Sequence, residues 1–215
     1  MNVYLESDFH DYYDHMFDTN GAKFERMSVT DLSRGEAFTK LTNMGLAVPA
    51  WGGVSGLNHT FPPETRIVVY IDHFAHRGED KELMSIREAM ARDYSGKTAS
   101  IYVPNLQPEM PRSDRYLRIG GRIFWLTYIS LDEWQSNRGN VSITELPPPR
   151  FLEDFGDNEP LPMLAIDFVK CMYGGWLAVD YNTAPGLRHT PVEDALNATE
   201  VVGEVKKFMM GIRHL

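Results

Sequence analysis

With 215 residues, 43% hydrophobic and 24% charged, the chain can bury the core of one large domain or of two small lobes sharing a cleft, and it is not composed like a disordered chain. A net charge of −9 argues against a surface built to grip nucleic-acid phosphates, although Arg112, Arg115, Arg118 and Arg122 crowd together locally. The single cysteine, Cys171, forms no internal disulfide. No apolar run reaches the length of about eighteen residues that spans a bilayer, and the first residues do not pattern as a signal peptide, so a cytoplasmic protein away from membranes is expected.

Residues 2–6 alternate like a short strand. In the segment 7–20, His10, Asp14 and Asp18 would share one helical face, a spacing open to a metal or to a solvated acidic helix capped by Ser7 or Asp8. Asp31 or Ser33 is placed to cap a helix through residues 34–41 that Gly45 would close. The glycine-rich run from Trp51 lacks the Lys-Ser/Thr pair of a phosphate loop and has no evident helix after it, so a plain turn is predicted there. A β-branched strand at 66–71 is followed by a predicted helix over 80–92, with Leu83, Ile86, Ala89 and Met90 on one face. Another strand at 99–104 stops at Pro104. Residues 114–130 pattern as a hairpin around Gly120-Gly121, and 145–162, with three consecutive prolines, as a polar connector. Two further strands, 163–169 and 175–182, flank a turn at Tyr173-Gly174-Gly175, and an amphipathic helix is predicted from about 193 to 213. Strands and helices interleaved with hairpins make the class α+β.

The last strand pair carries the most chemical information. Asp167 follows an apolar run, while Asp180 and Asn182 lie two apart on the partner strand. Period-two geometry puts those two on one face, and the hairpin brings Asp167 opposite them. Three hard oxygen donors without thiolate or imidazole suit Mg²⁺, although two surface carboxylates and a turn asparagine would share the spacing. Cys171 with His189 makes a weak thiol-nucleophile pair, and a small packing residue is the better reading of Cys171.

The run Ile166-Asp-Phe-Val, continuing through Gly-Gly-Trp-Leu-Ala-Val-Asp-Tyr-Asn-Thr-Ala-Pro-Gly-Leu, resembles the closing motif of the ATP-grasp superfamily. In that superfamily an acidic residue on one strand faces an acidic-x-Asn on the next. Upstream, Arg115-Tyr-Leu-Arg-Ile-Gly-Gly-Arg-Ile-Phe and Trp134-Gln-Ser-Asn-Arg-Gly-Asn are similar to the middle of RimK-type ligases. More weakly, the segment from Leu32 to Pro49 is similar to the helix that opens the grasp domain.

The resemblance implies two α+β lobes enclosing a nucleotide cleft: a reduced leading segment (1–30), an N-terminal lobe (31–104) and a C-terminal lobe (105–215). It implies ATP as nucleotide, its adenine against Tyr102, Val103 and Asn105, and Mg²⁺ held by Asp167, Asp180 and Asn182. Lys170 would assist at the phosphates. Arg115, Arg118, Asn137 and Arg138 would assist the chemistry, with Arg115 and Arg118 competing for one family position. The implied reaction activates a carboxylate, on a small molecule or a peptide, as an acyl phosphate that an amine attacks. A homodimer is left open. Three departures bear on turnover, the first being that the domain expected ahead of the grasp module is reduced to the leading segment 1–30. Where family members carry a strand lysine this chain has Tyr70, with His73 and Arg77 nearby, and the expected glycine-rich flap reads His76-Arg-Gly-Glu-Asp-Lys-Glu. A degenerate grasp fold that binds a nucleotide or partner without turnover is the alternative.

Overall fold

A computed structural model describes residues 3–5, 24–26, 32–72, 80–104, 110–152, 155, 161–172, 174–183, 185–187 and 189–212. The candidate ligands His10, Asp14 and Asp18, the segment holding His73 and Arg77, and Asn105 lie outside these residues.

Two short strands, β1 (Val3–Leu5) and β2 (Phe24–Arg26), pair in parallel. Helix α1 (Arg34–Asn43) starts as the sequence predicts. The Ser33 hydroxyl accepts the Glu36 N–H, and the Glu36 carboxylate accepts the Ser33 N–H at 2.8 Å, a reciprocal capping box. Gly45, at φ +79°, turns the chain away after it. The buried stripe of α1 is Arg34, Ala37, Phe38 and Leu41, the spacing of one helical face.

The first small sheet contains β3 (Trp51–Gly53), β4 (Arg66–Tyr70), β5 (Lys81–Ser85) and β6 (Thr98–Ile101), in the antiparallel order β3-β6-β4-β5. Two sequence expectations are corrected here. The glycine-rich run is a strand end that opens helix α2 (Val54–Thr60), with Gly53 as N-cap. Gly53 offers no side-chain cap, so the usual start signal is missing. Instead, the carbonyls of Lys97 and Ser95 accept the N–H groups of Val54 and Ser55 at 3.0 and 3.1 Å. The helix predicted over 80–92 is a helix only in its second half. Residues 81–85 pair along their whole length with β4, and a second capping box, Ser85 with Glu88, delays helix α3 to Ile86–Ala91. Five cross-strand pairs outweigh local helix propensity. Val54, Leu57, Ile67, Val69, Met84, Ile86, Ala89 and Ala99 form the core of this lobe.

The second sheet is fully antiparallel, in the order β11-β10-β7-β8-β9, from β7 (Arg112–Ile119), β8 (Arg122–Ser130), β9 (Val141–Leu146), β10 (Met163–Lys170) and β11 (Trp176–Asn182). The last two residues of β9 fall in the stretch predicted as connector. The predicted C-terminal helix is two: α4 (Pro191–Ala195) and α5 (Ala198–Ile212). Between them the Asn197 side chain accepts the Glu200 N–H while Glu200 accepts the Asn197 N–H, so α5 is capped afresh.

Alternation gives the larger sheet two different faces. Tyr116, Trp125, Leu164, Ile166, Phe168 and Ala178 pack under α1 together with Tyr70 of the smaller sheet, which ties the lobes together. On the other face Leu117, Ile119, Phe124, Leu126, Met163 and Ala165 pack against Val192, Leu196, Val201, Val202 and Val205 of the C-terminal helices. Farther along the strands, residues of the same parity on β7 and β10, Ser113, Asp167 and Val169, line the cleft between the sheets.

The Gly120-Gly121 turn is pressed against α5. Gly120 has φ +59°, and a Cβ there would collide with the backbone carbonyl of Glu204. Gly120→Ala should therefore cost more than about 1 kcal/mol, read as a lower urea midpoint than wild type, with Gly121→Ala, which has open space at its Cβ position, as the tolerated control.

Candidate functional site

The cleft is walled on one side by Val68, Tyr70, Lys81, Ser100, Ile101, Tyr102 and Val103, and on the other by Arg112, Ser113, Asp167, Val169, Val179 and Asp180. The loop Trp134–Asn137 forms its rim. Strand register builds its polar floor. Arg115 on β7 is the cross-strand partner of Asp167 on β10, and Asp167 is the partner of Asp180 on β11, so the three stand in one row across neighbouring strands. The register shifts between Asp167 and Phe168, which pair with Asp180 and Ala178, leaving Val179 as the extra residue of a β-bulge. On the bulged side the Ala178 N–H bonds the Ala47 carbonyl at 2.8 Å, fixing the edge strand beside the segment that leaves α1.

Both carboxylates are paired bidentately. Arg115 donates from Nε and one terminal nitrogen to Asp167 at 2.7 and 3.0 Å, and its guanidinium lies 4.9 Å from the Tyr128 ring. Arg34 donates two N–H groups to Asp180 at 2.5 and 3.0 Å, and its guanidinium lies 4.9 Å from the Tyr70 ring. A third cation, the Lys81 ammonium, stands 3.8 Å from Asp180 and 5.9 Å from the centre of the same Tyr70 ring. Burial opposes charge on all three. For Arg34, desolvation is outweighed by Asp180, with help from Tyr70 and Asp167, and the pKa is held above its ordinary value. Arg115 is likewise raised, because Asp167 overcomes its desolvation. For Lys81, burial and the like charge of Arg34 win over Asp180 and Asp167, and its pKa is pushed down to about 8. Burial raises the Tyr70 phenol, whose oxygen lies 3.1 Å from the Ser100 hydroxyl.

The residues singled out from sequence are distributed as follows. Asp167, Asp180, Tyr102, Val103 and Asn137 line the cleft, and Arg115 adjoins it through Asp167. Asn182 pairs with Ala165, one residue pair farther from the bulge than Tyr181, and is not part of the cleft wall. Arg118, of opposite parity to Arg115, donates to the Leu161 carbonyl and stacks on Phe208. Lys170 lies over Trp176 at the far end of β10, and Arg138 is exposed beside the rim. Sequence reasoning missed Arg34 and Lys81. Arg34 had a usable signal, since an arginine on the apolar stripe of a helix needs a buried anion. Lys81 had none, because its cross-strand position opposite Tyr70 exists only in the sheet.

No family model matches the sequence, and no curated protein matches it. Solved structures do. The ATP-grasp ligase PsnB complexed with minimal precursor superposes with a TM-score of 0.61 at 11% identity, over 94% of this chain and 77% of that one. The D-cycloserine synthetase DcsG gives 0.59 at 10% identity, over 96% and 99%. A Chryseobacterium gregarium RiPP-associated ATP-grasp ligase, in complex with ADP and a leader and core peptide, gives 0.56 at 9% identity, over 81% and 58%. Against PsnB complexed with a phosphomimetic precursor variant, Mg and ADP, the chain spans 59% of the ligase. The chain has the α+β ATP-grasp fold, its two antiparallel sheets facing across the cleft.

Removing the Arg34 guanidinium should leave Asp180 buried with Lys81 as its remaining cation. Arg34→Met is expected to cost about 3 kcal/mol, read in urea unfolding, and Asp180→Asn in the Arg34→Met background should recover part of the loss.

Proposed function

We propose that the chain is an ATP-dependent ligase of RimK-like motif that joins a carboxylate to an amine. The observation that carries the reading is the row Arg115–Asp167–Asp180, set across three strands and facing the cleft of an ATP-grasp fold. The segment Tyr102–Val103, at the lobe junction, is suited to the adenine. Its Tyr102 ring meets Trp134 of the rim edge-on at 6.4 Å, making an aromatic wall. In the reaction an oxygen of the acceptor carboxylate attacks the γ-phosphorus and ADP leaves. The amine nitrogen then attacks the acyl carbon and gives up a proton to water, and phosphate departs with the C–O electron pair, leaving the amide. Arg115 rather than Arg118 holds the family's arginine position, orienting Asp167, with Asn137 and Arg138 at the rim on the acceptor side.

The donor set decides how a metal fits. Among the described residues no group of three or more His, Cys, Asp and Glu side chains is arranged to hold a metal. Both candidate carboxylates already accept two guanidinium N–H bonds each. Three cations against two carboxylates leave the floor positively charged, so it does not build a resident Mg²⁺ site. A carboxylate oxygen keeps a second lone pair beside an arginine, so Asp167 and Asp180 fit Mg²⁺ that arrives on a polyphosphate, where it neutralises phosphate charge. Asn182 stands at the end of that set.

The same double pairing favours a second reading, a nucleotide-binding grasp fold without turnover, because Arg34 is buried on Asp180 and full release of that carboxylate to a metal would have to break the pair first.

Calorimetry separates these readings. Mg²⁺ alone should give no heat of binding, whereas ATP should bind, and Mg²⁺ should tighten it in wild type and less in Asp167→Asn. An absence of ATP binding at millimolar concentration refutes both nucleotide readings. ADP release with pooled amino acids or peptides supports the ligase, and ATP binding without ADP release supports the binder.

A further inference from the structure

We propose that Lys81 is the residue that contacts the polyphosphate of the bound nucleotide, its ammonium reaching into the cleft from the first position of β5. This rests on the nucleotide reading above and names a contact within it.

Lys81 is an unusual lysine. Its side chain is 13% exposed, although a lysine head group is normally kept in water. Among the described residues its closest carboxylate oxygen, on Asp180, lies at 3.8 Å, outside hydrogen-bond range. That carboxylate is already engaged on both oxygens by Arg34. The ammonium therefore has three donors, the Arg34 guanidinium on the same carboxylate, and incomplete compensation. An anion entering the cleft would supply acceptors for those donors and the missing counter-charge.

The neighbours narrow the anion. Arg34, Lys81 and Arg115 outnumber Asp167 and Asp180, so the floor as it stands attracts negative charge. The Tyr70 and Ser100 hydroxyl oxygens line the same wall. A lysine is a compact point charge with rotatable donors, suited to a tetrahedral phosphate rather than to a planar carboxylate that a guanidinium fork would match. Arg34 and Arg115 have their forks committed to Asp180 and Asp167, and Arg112, which also lines the cleft, donates to Asp114. Of these four cations Lys81 is the one whose carboxylate contact, at 3.8 Å, is beyond hydrogen-bond range.

The test uses the whole protein with three probes, ATP, tripolyphosphate and adenosine, measured by calorimetry on wild type, Lys81→Met and Lys81→Arg. Loss of one charge-assisted contact should weaken ATP and tripolyphosphate roughly 10- to 100-fold in Lys81→Met. Adenosine should bind it as it binds wild type, and Lys81→Arg should restore most of the phosphate affinity. A purely structural role would move all three probes together. Removing a poorly compensated buried charge should leave the unfolding midpoint of Lys81→Met unchanged or higher, so the variant is expected to fold. If wild type and Lys81→Met bind ATP equally, the Lys81 contact is overturned while the nucleotide reading stands. If Lys81-dependent binding is seen for tripolyphosphate but ATP gains nothing over it and adenosine does not bind, the contact stands and the nucleotide reading falls. If wild type binds neither phosphate probe, both fall.

Discussion

A carboxylate carried into a protein interior must bring its counter-charge with it, and Asp180 draws one from 146 residues away. Arg34 comes from the first turn of α1, is almost fully buried, and closes on both oxygens of Asp180 at the edge of the larger sheet. Desolvating each ion costs several kcal/mol, so the pair holds only because its geometry is bidentate and because Tyr70 and the Tyr181 N–H add further contacts. The consequence is architectural. The helix, the edge strand and, through Tyr70 and Lys81, the smaller sheet all converge on one carboxylate. The site is thus part of the joint between the lobes.

That joint explains why the cleft has its particular charge. Two aspartates on adjacent strands repel each other unless cations intervene. Here they are separated by two arginines approaching from different directions, Arg115 along the sheet and Arg34 from the helix. With Lys81 added, the balance tips to positive. A floor of this kind is electrostatically better matched to an anion than to a bare divalent cation.

The departures from the ATP-grasp pattern look different once the sheets are assembled. Tyr70 stands where a strand lysine is expected, yet its cross-strand partner is Lys81, so an ammonium enters the same region from the neighbouring strand. The glycine-rich run that invited comparison with a phosphate loop is closed off by backbone: the carbonyls of Ser95 and Lys97 occupy the N–H groups that an anion would need. Both the position of that ammonium and the occupation of those N–H groups are set by contacts between segments distant in sequence.

The row of Asp167 opposite Asp180 was legible from sequence because a tight hairpin of alternating strands has a register that its turn and its apolar face largely fix. A cap at Ser33 (with Asp31 as the alternative), the Gly120-Gly121 hairpin and the α+β class were legible for the same local reasons, whereas the reciprocal Glu36 bond came from the structure. Helix propensity at 80–92 misled because β4 supplies pairing partners for Lys81–Ser85 that no local window contains. The C-terminal helix divides at Asn197 because a cap can restart a helix within an amphipathic run. Tertiary structure alone decided which arginine pairs with Asp167, turning Arg115 toward it and Arg118 toward Leu161 and Phe208, and it alone brought Arg34 and Lys81 to Asp180. The sequence by itself determined which oxygens face one another across a hairpin. The cations that neutralise them come from other elements, and the electrostatic character of the cleft follows from how those elements pack.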